Sequence, residues 1–269
     1  DTKEYRKKFA AQAKHVRRAW LDGEWLDPDG YFSDFEPAKL DEESNTRQPW
    51  HVIDVLPTVK GKSLLEQSWI SVYRVLDWGF YPDPAVCLWI AVLPNKRAIV
   101  FKERSWLKTT AADVATDIVK ESRGMKVITT YCDPTIFVSS KATEGHSTGD
   151  IIECNGVPLT PAINDRQAIG EAIHEWLNTV IDEEPKLQIL RHGCPDLLRT
   201  IPDMRQDKNN PRRIADGEDH WVISLGYFCQ SDIAPSREPH ESQIPQWMRP
   251  KPATRNVLGA KQVRNKVAA

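Results

Sequence analysis

The feature that most constrains this chain is a continuous apolar run, AVCLWIAVL, which extends from Ala85 to Leu93. A shorter apolar segment, Val72 to Trp78, precedes it, and another, Ala98 to Glu103, follows it after a Pro-Asn-Lys turn. Apolar runs of this length bounded by turn residues are typical of β-strands, and short connections favour antiparallel pairing. The sequence therefore predicts three consecutive strands that pair as antiparallel hairpins.

Helical patterns and further strands follow these hairpins. Thr110 is the predicted N-cap of a helix whose apolar face includes Val114 and Ile118 and which ends at Gly124. The best helical stripe in the chain runs from Asp165 to Ile181. The remaining predicted elements are strands at Lys126–Cys132 and Leu187–Leu190 and helices at Thr148–Cys154 and Glu218–Cys229. This order predicts an α/β fold with a mixed five-stranded sheet flanked by helices.

The flanking segments divide the chain into three parts. Residues 1–68 begin with a helical pattern, in which Phe9, Val16 and Trp20 share one face, and continue as a connector. Residues 69–230 form the predicted globular domain, and residues 231–269 form a proline-containing tail. Six Lys or Arg and no acid lie between Arg249 and Ala269. Two interpretations of this basic tail stay open, a solvated segment and a contact with DNA phosphate or with a partner.

Composition excludes several classes of protein. The net charge of −2 gives no overall nucleic-acid signature, and no run approaches the roughly 18 apolar residues that cross a bilayer. Five cysteines without a Cys-x-x-Cys pair argue against a zinc site or a disulfide framework and favour a reducing, cytoplasmic setting. Gly61-Lys62-Ser63 has the ending of a P-loop, but Leu56 stands where that loop needs its first glycine. A Walker-type ATPase is therefore not predicted within this chain.

Two aspartates end strands that such a sheet would place side by side. Asp77 closes the first apolar strand, and Asp133 follows the strand that ends at Cys132. Ligands gather at the carboxyl ends of neighbouring strands in sheets of this kind. A carboxylate at the end of an apolar strand costs several kcal/mol to bury unless it is paired or binds a metal. The alternative is that each aspartate only caps a turn.

A third acidic segment, DGEDHW, precedes the last predicted helix and contains Asp216, Glu218, Asp219 and His220. Carboxylates from two strands and a helix can hold two divalent ions about 4 Å apart, an arrangement that suits phosphodiester hydrolysis. Hard oxygen ligands favour Mg²⁺ or Mn²⁺ over zinc. The alternative is an ordinary acidic helix N-terminus, which the helix dipole stabilises.

Taken together, these motifs resemble the C-terminal nuclease domain of the large terminase subunit of tailed bacteriophages, which is RNase H-like. RVLDWGFYPDPA resembles the family's first strand and TYCDP its second acidic motif, which implies Asp77 and Asp133 as metal ligands. IVFKERSW resembles the third strand, with Glu103 near the site. The resemblance covers residues 15 to 229. It also includes VRRAWLDGEW with YFSDF, the Asn-Asp-Arg helix start of NDRQAIGEAIHEWL, and the last acidic helix, GEDHWVISLGYF.

The chain departs from the family pattern at its third ligand. The family carries Asp-His-x-x-Asp on the last helix, and Ile223 occupies the position of the final acid. Asp219, one helical turn earlier, is the predicted substitute, so the expected catalytic and metal-binding set is Asp77, Asp133 and Asp219. The alternatives to this substitution are that one metal site is weak, or that the nuclease needs a different cation or its full assembly. The expected supporting residues are Asp216, His220 and Glu103.

Four basic residues are the candidates for contact with DNA phosphates. Lys208, Arg212 and Arg213 precede the last acidic helix, and Arg166 lies at the start of the long helix. Positive side chains near a phosphodiester-cleaving site would neutralise the charge of the DNA backbone. The alternative for the three loop residues is a solvated loop.

The resemblance implies a metal-dependent endonuclease that cuts double-stranded viral DNA concatemers during genome packaging, with two Mg²⁺ or Mn²⁺ ions. It implies an ATPase domain ahead of this fragment, the small terminase subunit and the portal protein as partners, and no membrane. The expected location is the host cytoplasm, transiently at the procapsid portal. Two alternatives stay open. One is an RNase H-like DNA-binding or motor-assembly module weakened by loss of the acid at position 223. The other is a junction resolvase or transposase-like enzyme.

Overall fold

A mixed sheet of seven strands organises the chain, which we describe from a computed structural model. The structure describes residues 30–41, 44–59, 61–139 and 145–239. The predicted N-terminal helix around residues 9–20 and the basic tail from Arg249 onward lie outside the described residues. The strands are β1 (Val52–Ile53), β2 (Ser71–Asp77), β3 (Ala85–Val92), β4 (Ala98–Trp106), β5 (Lys126–Cys132), β6 (Leu159–Pro161) and β7 (Leu187–Leu190). Their order across the sheet is β6-β5-β2-β3-β4-β7-β1.

Strand pairing follows the predicted hairpins. β2 pairs antiparallel with β3, and β3 pairs antiparallel with β4. The remaining pairs, β2 with β5, β5 with β6, β4 with β7 and β7 with β1, are parallel. The predicted α/β class and mixed sheet are confirmed, but the sheet has seven strands where five were predicted. The two additional strands, β1 and β6, are two and three residues long and lie at the two edges.

Five helices cover the two faces of the sheet in the described ranges. They are α1 (Ala111–Glu121), α2 (Thr148–Cys154), α3 (Arg166–Asn178), α4 (Pro195–Asp203) and α5 (His220–Cys229). Helices α1 and α2 pack with Val72 and Leu76 on one face, and α3, α4 and α5 pack with Tyr73 and Val75 on the other. Both faces of the central strands are therefore buried, which is why their sequences are apolar without alternation.

Helix α5 lies in the core, and its position fixes the candidate site. Every residue from Trp221 to Cys229 is buried, as expected for a helix that is apolar on all sides. A Cβ atom on Gly226 would lie 2.3 Å from Cγ2 of Ile169 in α3. Glycine at this position therefore allows α5 to approach α3 closely while it also packs on β2, β3 and β5.

The segments outside the predicted globular domain also contribute to the structure. Tyr31, Phe32 and Phe35, in the segment of residues 1–68 that precedes the predicted domain, are buried in the core, and β1, in the part of that segment expected to be a connector, extends the sheet. After α5, Ser236 accepts a hydrogen bond from the backbone N–H of Ser71 at 2.7 Å. Short antiparallel hairpins outside the main sheet pair Ala38–Asp41 with Thr46–Pro49, Thr58–Val59 with Lys62–Ser63, and Val180–Ile181 with Glu184–Pro185.

The described ranges contain no helix long and apolar enough to cross a membrane. All five cysteines are free thiols, and all but Cys154 are buried.

Candidate active site

Two carboxylates meet at one edge of the sheet. Asp77 is the last residue of β2, and Asp133 directly follows β5. These strands are parallel neighbours in which Leu76 pairs with Cys132, so both aspartates leave the sheet at the same level. The prediction that the strands ending at Asp77 and Cys132 lie side by side is confirmed.

Tyr227 of α5 lies between the two carboxylates. Its hydroxyl group is 3.2 Å from Oδ1 of Asp77 and 3.4 Å from Oδ2 of Asp133. The phenol is fully buried and carries a single hydrogen, so it donates to one carboxylate at a time. Burial raises the pKa of Tyr227 far above its usual value, and the two nearby carboxylates raise it further. The phenol is therefore a neutral donor shared by two acids.

His220 contacts the other oxygen of Asp77. Its Nδ1 atom is 2.8 Å from Oδ2 of Asp77, and its Nε2 atom is 3.4 Å from Oδ1 of Asp83. Residues 220 and 227 are two helical turns apart and lie on one face of α5, so one helix supplies both contacts to Asp77. Gly79 shapes the loop that carries Asp83, because a Cβ atom there would lie 2.5 Å from the carbonyl oxygens of Asp83 and Pro84.

Asp133 has two further partners. Its Oδ1 atom accepts a hydrogen bond from the backbone N–H of Thr135 at 2.7 Å, which caps the short 3-10 helix Pro134–Phe137. Its Oδ2 atom accepts a hydrogen bond at 2.8 Å from Nδ2 of Asn164, which precedes α3. Asp133 thus caps a turn, as the alternative interpretation proposed, and also faces Asp77 across the Tyr227 hydroxyl.

Burial and repulsion from Asp133 disfavour the ionised form of Asp77. Burial raises the pKa of Asp77, and the charge of Asp133 raises it further, while the hydrogen bond from His220 opposes both. The hydrogen bond to Asp77 raises the pKa of His220 above its usual value, against the effect of its own burial. The shift at Asp77 comes first from burial and then from repulsion by Asp133, and a cation bound to the two carboxylates would oppose both effects.

Asp219, the predicted third ligand, is held in an ion pair. Asp219 is 2% exposed, and its carboxylate bonds Nη1 of Arg166, whose Nε is 3.1 Å from Oδ1 of Asp216. Arg166, a predicted DNA contact, therefore uses its guanidinium group within the protein. Ile223, which stands at the position of the family's final acid, is buried in the hydrophobic core.

Glu103 lies elsewhere in the sheet. It is in β4 and is aligned with Leu88 of β3, so β3 separates its strand from Asp77. Its two carboxylate oxygens accept hydrogen bonds from the backbone N–H groups of Asp196 and Leu197 at 2.6 and 2.9 Å. Glu103 thus caps α4, and its expected place beside the metal site has no support from these contacts.

The predicted DNA-binding loop residues lie near the surface. Lys208 and Arg212 are exposed. Arg213 is half-buried and is 3.8 Å from Oδ2 of Asp207 and 3.6 Å from Oδ1 of Asp216. Lys208 and Arg212 are therefore the more accessible candidates for phosphate contact.

The donor set fits a hard divalent cation that keeps part of its water shell. Within residues 30–239 as described, no group of three or more His, Cys, Asp or Glu side chains could hold a metal ion. Mg²⁺, however, is commonly held by one or two carboxylates together with several waters and a substrate phosphate. Asp77 and Asp133, which approach one phenol oxygen from two strands, meet that smaller requirement.

Tyr227 and Asn164 were not among the residues predicted for the site. The spacing of seven between His220 and Tyr227 could have indicated that both face the same strand. Asn164 lies in the Asn-Asp-Arg motif, but no pattern in the sequence brings this motif to Asp133.

Comparison with known proteins identifies the fold. No protein-family model and no curated protein matches the sequence. The P22 large terminase nuclease domain is similar in structure, with a TM-score of 0.52 and 9% identity over 76% of this chain and 93% of the other. The large terminase nuclease domain of bacteriophage SPP1, solved with bound Mn, has a TM-score of 0.47 and 17% identity over 65% of this chain and 92% of the other. The large terminase nuclease of thermophilic phage G20c, solved with bound magnesium, has a TM-score of 0.48 and 11% identity over 76% of this chain and 97% of the other. The chain therefore has the RNase H-like fold of the P22 large terminase nuclease domain.

Proposed function

We propose that this chain is a nuclease that cuts double-stranded DNA with a divalent metal ion during viral genome packaging. The observation that carries the proposal is the convergence of Asp77 and Asp133, from adjacent parallel strands, on the single hydroxyl group of Tyr227. The fold shared with the P22 nuclease domain supports the same conclusion.

Asp77 and Asp133 would hold Mg²⁺ or Mn²⁺ through their carboxylate oxygens. A bound ion of this kind supplies an activated water and neutralises charge on the phosphodiester. His220 donates from Nδ1 to Asp77 and so fixes the orientation of that carboxylate. Tyr227 and Asn164 orient Asp77 and Asp133 through the hydrogen bonds described above. Partners of metal ligands that act in this way strengthen binding by holding each ligand in place.

A second ion, which the family resemblance implies, needs ligands beyond this pair. Asp219 was the expected source, but its ion pair with Arg166 supports a different role. We propose that Asp77 and Asp133 are the metal ligands and that Asp219 anchors Arg166 at the start of α3. Lys208, Arg212 and Arg213 are proposed to contact DNA phosphates.

The same proposal extends to partners and location. An ATPase domain of the same protein, the small terminase subunit and the portal protein are the proposed partners besides double-stranded DNA. Such a nuclease would act in the host cytoplasm, transiently at the procapsid portal.

Plasmid cleavage tests the proposal. The full 269-residue chain is expected to nick and linearise supercoiled plasmid in Mn²⁺ or Mg²⁺ and to stop when EDTA is added. Asp77→Asn and Asp133→Asn are each expected to lower the rate by about a hundredfold or more, because each removes a charged metal ligand. Asp54→Asn, which alters an exposed aspartate paired with Arg191, is the matched control. Absence of cutting by the wild type, or unchanged cutting by the site variants, would overturn the proposal.

One observation favours a second candidate. Ile223 is buried where the family has an acid, and Asp219 is committed to Arg166, so the third carboxylate is not free. This arrangement would suit a DNA-binding or motor-assembly module whose catalysis has weakened. DNA binding without cleavage in either metal would favour this candidate.

A further inference from the structure

Two neighbouring aromatic side chains are exposed beside the candidate site. Phe80 and Tyr81 lie in the loop between β2 and β3, three and four residues after Asp77, and are 51% and 62% exposed. They are the only aromatic residues among the exposed large hydrophobic side chains of the described ranges. Exposed aromatic rings are not stabilised by packing in the core. An adjacent pair of them at the edge of the candidate site therefore points to a ligand that contacts them.

Contacts with the surrounding structure fix the loop that carries Phe80 and Tyr81. The carbonyl oxygen of Phe80 accepts a hydrogen bond from the backbone N–H of Lys108 at 2.8 Å. The ammonium group of Lys108 lies 4.3 Å from the centre of the Tyr81 ring. The close approach at Gly79 fixes the same loop from its other side. The Tyr81 ring and the positive charge of Lys108 therefore lie next to each other, beside the exposed ring of Phe80.

We propose that Phe80 and Tyr81 bind unpaired bases of a DNA strand next to the phosphate that is cut. Aromatic rings stack on bases of any sequence, while a neighbouring Lys contacts the backbone. Bases in an intact duplex are already stacked, so the rings favour DNA that is locally opened or wedged apart. The inference rests on the proposed nuclease function, and it adds a preferred substrate class: duplex DNA with an unpaired stretch.

Fluorescence anisotropy tests this inference with a blunt labelled duplex and the same duplex containing a short mismatch bubble. Ca²⁺ replaces Mn²⁺ so that the DNA stays intact. The wild-type chain is expected to bind the bubble about tenfold more tightly than the paired duplex, the gain that one or two stacked bases provide. The double variant Phe80→Leu with Tyr81→Leu keeps apolar surface but loses both rings, and it is expected to lose this preference.

Two controls separate stacking from a general effect. Tyr81→Phe keeps the ring and is expected to keep the preference. Val55→Ala changes a residue that is 79% exposed just after β1, at the far edge of the sheet, and is also expected to keep it. Thermal melting checks that the variants fold, which is expected because the substituted side chains are exposed.

Two outcomes would overturn the inference: a wild type without preference for the bubble, or a leucine double variant that retains it. The second outcome is also expected if these rings bind a protein partner rather than DNA bases. Plasmid cleavage is measured in parallel. A wild type that cuts plasmid but shows no bubble preference refutes this inference alone, whereas absence of cutting refutes the proposed function.

Discussion

Tyr227 places a neutral hydrogen-bond donor between two acids of the candidate site. The resemblance led us to expect an acid at position 223, on the helix that faces the carboxylate pair. Ile223 instead joins the core, and Tyr227, one helical turn later, reaches Asp77 and Asp133. The phenol cannot replace the charge of a third ligand, but it can set the distance and orientation of the other two.

Replacement of Tyr227 by Phe tests this positioning role. The variant Tyr227→Phe is expected to lower cleavage and Mn²⁺ affinity by about 10- to 100-fold, the usual effect of losing a partner of metal ligands. Metal affinity is measured by titrating free Mn²⁺ by electron paramagnetic resonance. Tyr73→Phe is the matched control, since Tyr73 is also buried and its hydroxyl accepts a hydrogen bond from the backbone N–H of Ala234 at 3.1 Å. Equal Mn²⁺ affinity in wild type and Tyr227→Phe would refute the role.

The sequence predicted the two aspartates but not their partners, for a physical reason. Asp77 and Asp133 occupy strand ends, and strand ends are visible as the point where an apolar run stops. Tyr227 and Asn164 reach the site only because α5 and the start of α3 dock on particular strands. That docking depends on close packing such as the contact of Gly226 with Ile169, which periodicity alone does not reveal.

At the scale of elements, the unpredicted helix α4 gives Glu103 a contact that the family resemblance did not imply. The helix begins at Pro195 and contains Pro202, and a proline near the end of a helix weakens the sequence signal. The resemblance of IVFKERSW to the family's third strand placed Glu103 near the metal site, and no pattern in the sequence indicated a helix next to its side chain. With α4 present, its two oxygens accept the first free N–H groups of that helix.

Glu103 is also expected to make the stability of the protein depend on pH. Burial raises its pKa above the ordinary value of 4.5, while the hydrogen bonds from Asp196 and Leu197 oppose the shift. A carboxyl group whose pKa is raised by folding stabilises the fold at and below its ordinary pKa. This contribution is lost as the pH rises through the folded value. Wild type should therefore lose stability relative to Glu103→Gln between pH 4.5 and neutral pH.

Urea unfolding of both proteins at the two pH values measures this difference. Glu103→Gln keeps one carbonyl acceptor for the end of α4, and every other titrating group is common to both proteins. Their difference in unfolding free energy therefore isolates residue 103. A difference that stays constant, or that favours wild type more at neutral pH, would contradict the prediction.

At the scale of the whole molecule, the long strands were predictable and the edges of the sheet were not. Strands β2 to β4 and β7 are recognisable from their own apolar segments, and β5 from its β-branched residues Val127, Ile128, Thr129 and Thr130. Strands β1 and β6 are too short to carry a pattern and exist because a neighbouring parallel strand offers free hydrogen-bonding groups. The aromatic residues near Tyr31 were placed outside the predicted globular domain for a similar reason, since only the folded core gives them partners.

The candidate site joins parts of the chain that are distant in sequence, so metal binding is expected to stabilise the whole fold. Asp77, Asp133 and Tyr227 come from β2, the end of β5 and α5, and they meet only in the folded state. An ion that binds the native state alone stabilises it by about 2.7 kcal/mol at a concentration 100 times its Kd. For a domain of this size, that corresponds to a rise in Tm of about 5 °C or more.

Thermal melting in increasing Mn²⁺, at constant ionic strength, measures this coupling independently of DNA cleavage. The wild type and Asp54→Asn are expected to show the same rise in Tm. The double variant Asp77→Asn with Asp133→Asn is expected to show none, because its amide groups lack the charge that holds a hard cation. Only the dependence on Mn²⁺ is compared, since removal of two acids also changes the stability of the metal-free protein. An equal rise in the double variant would mean that the ion binds elsewhere on the molecule.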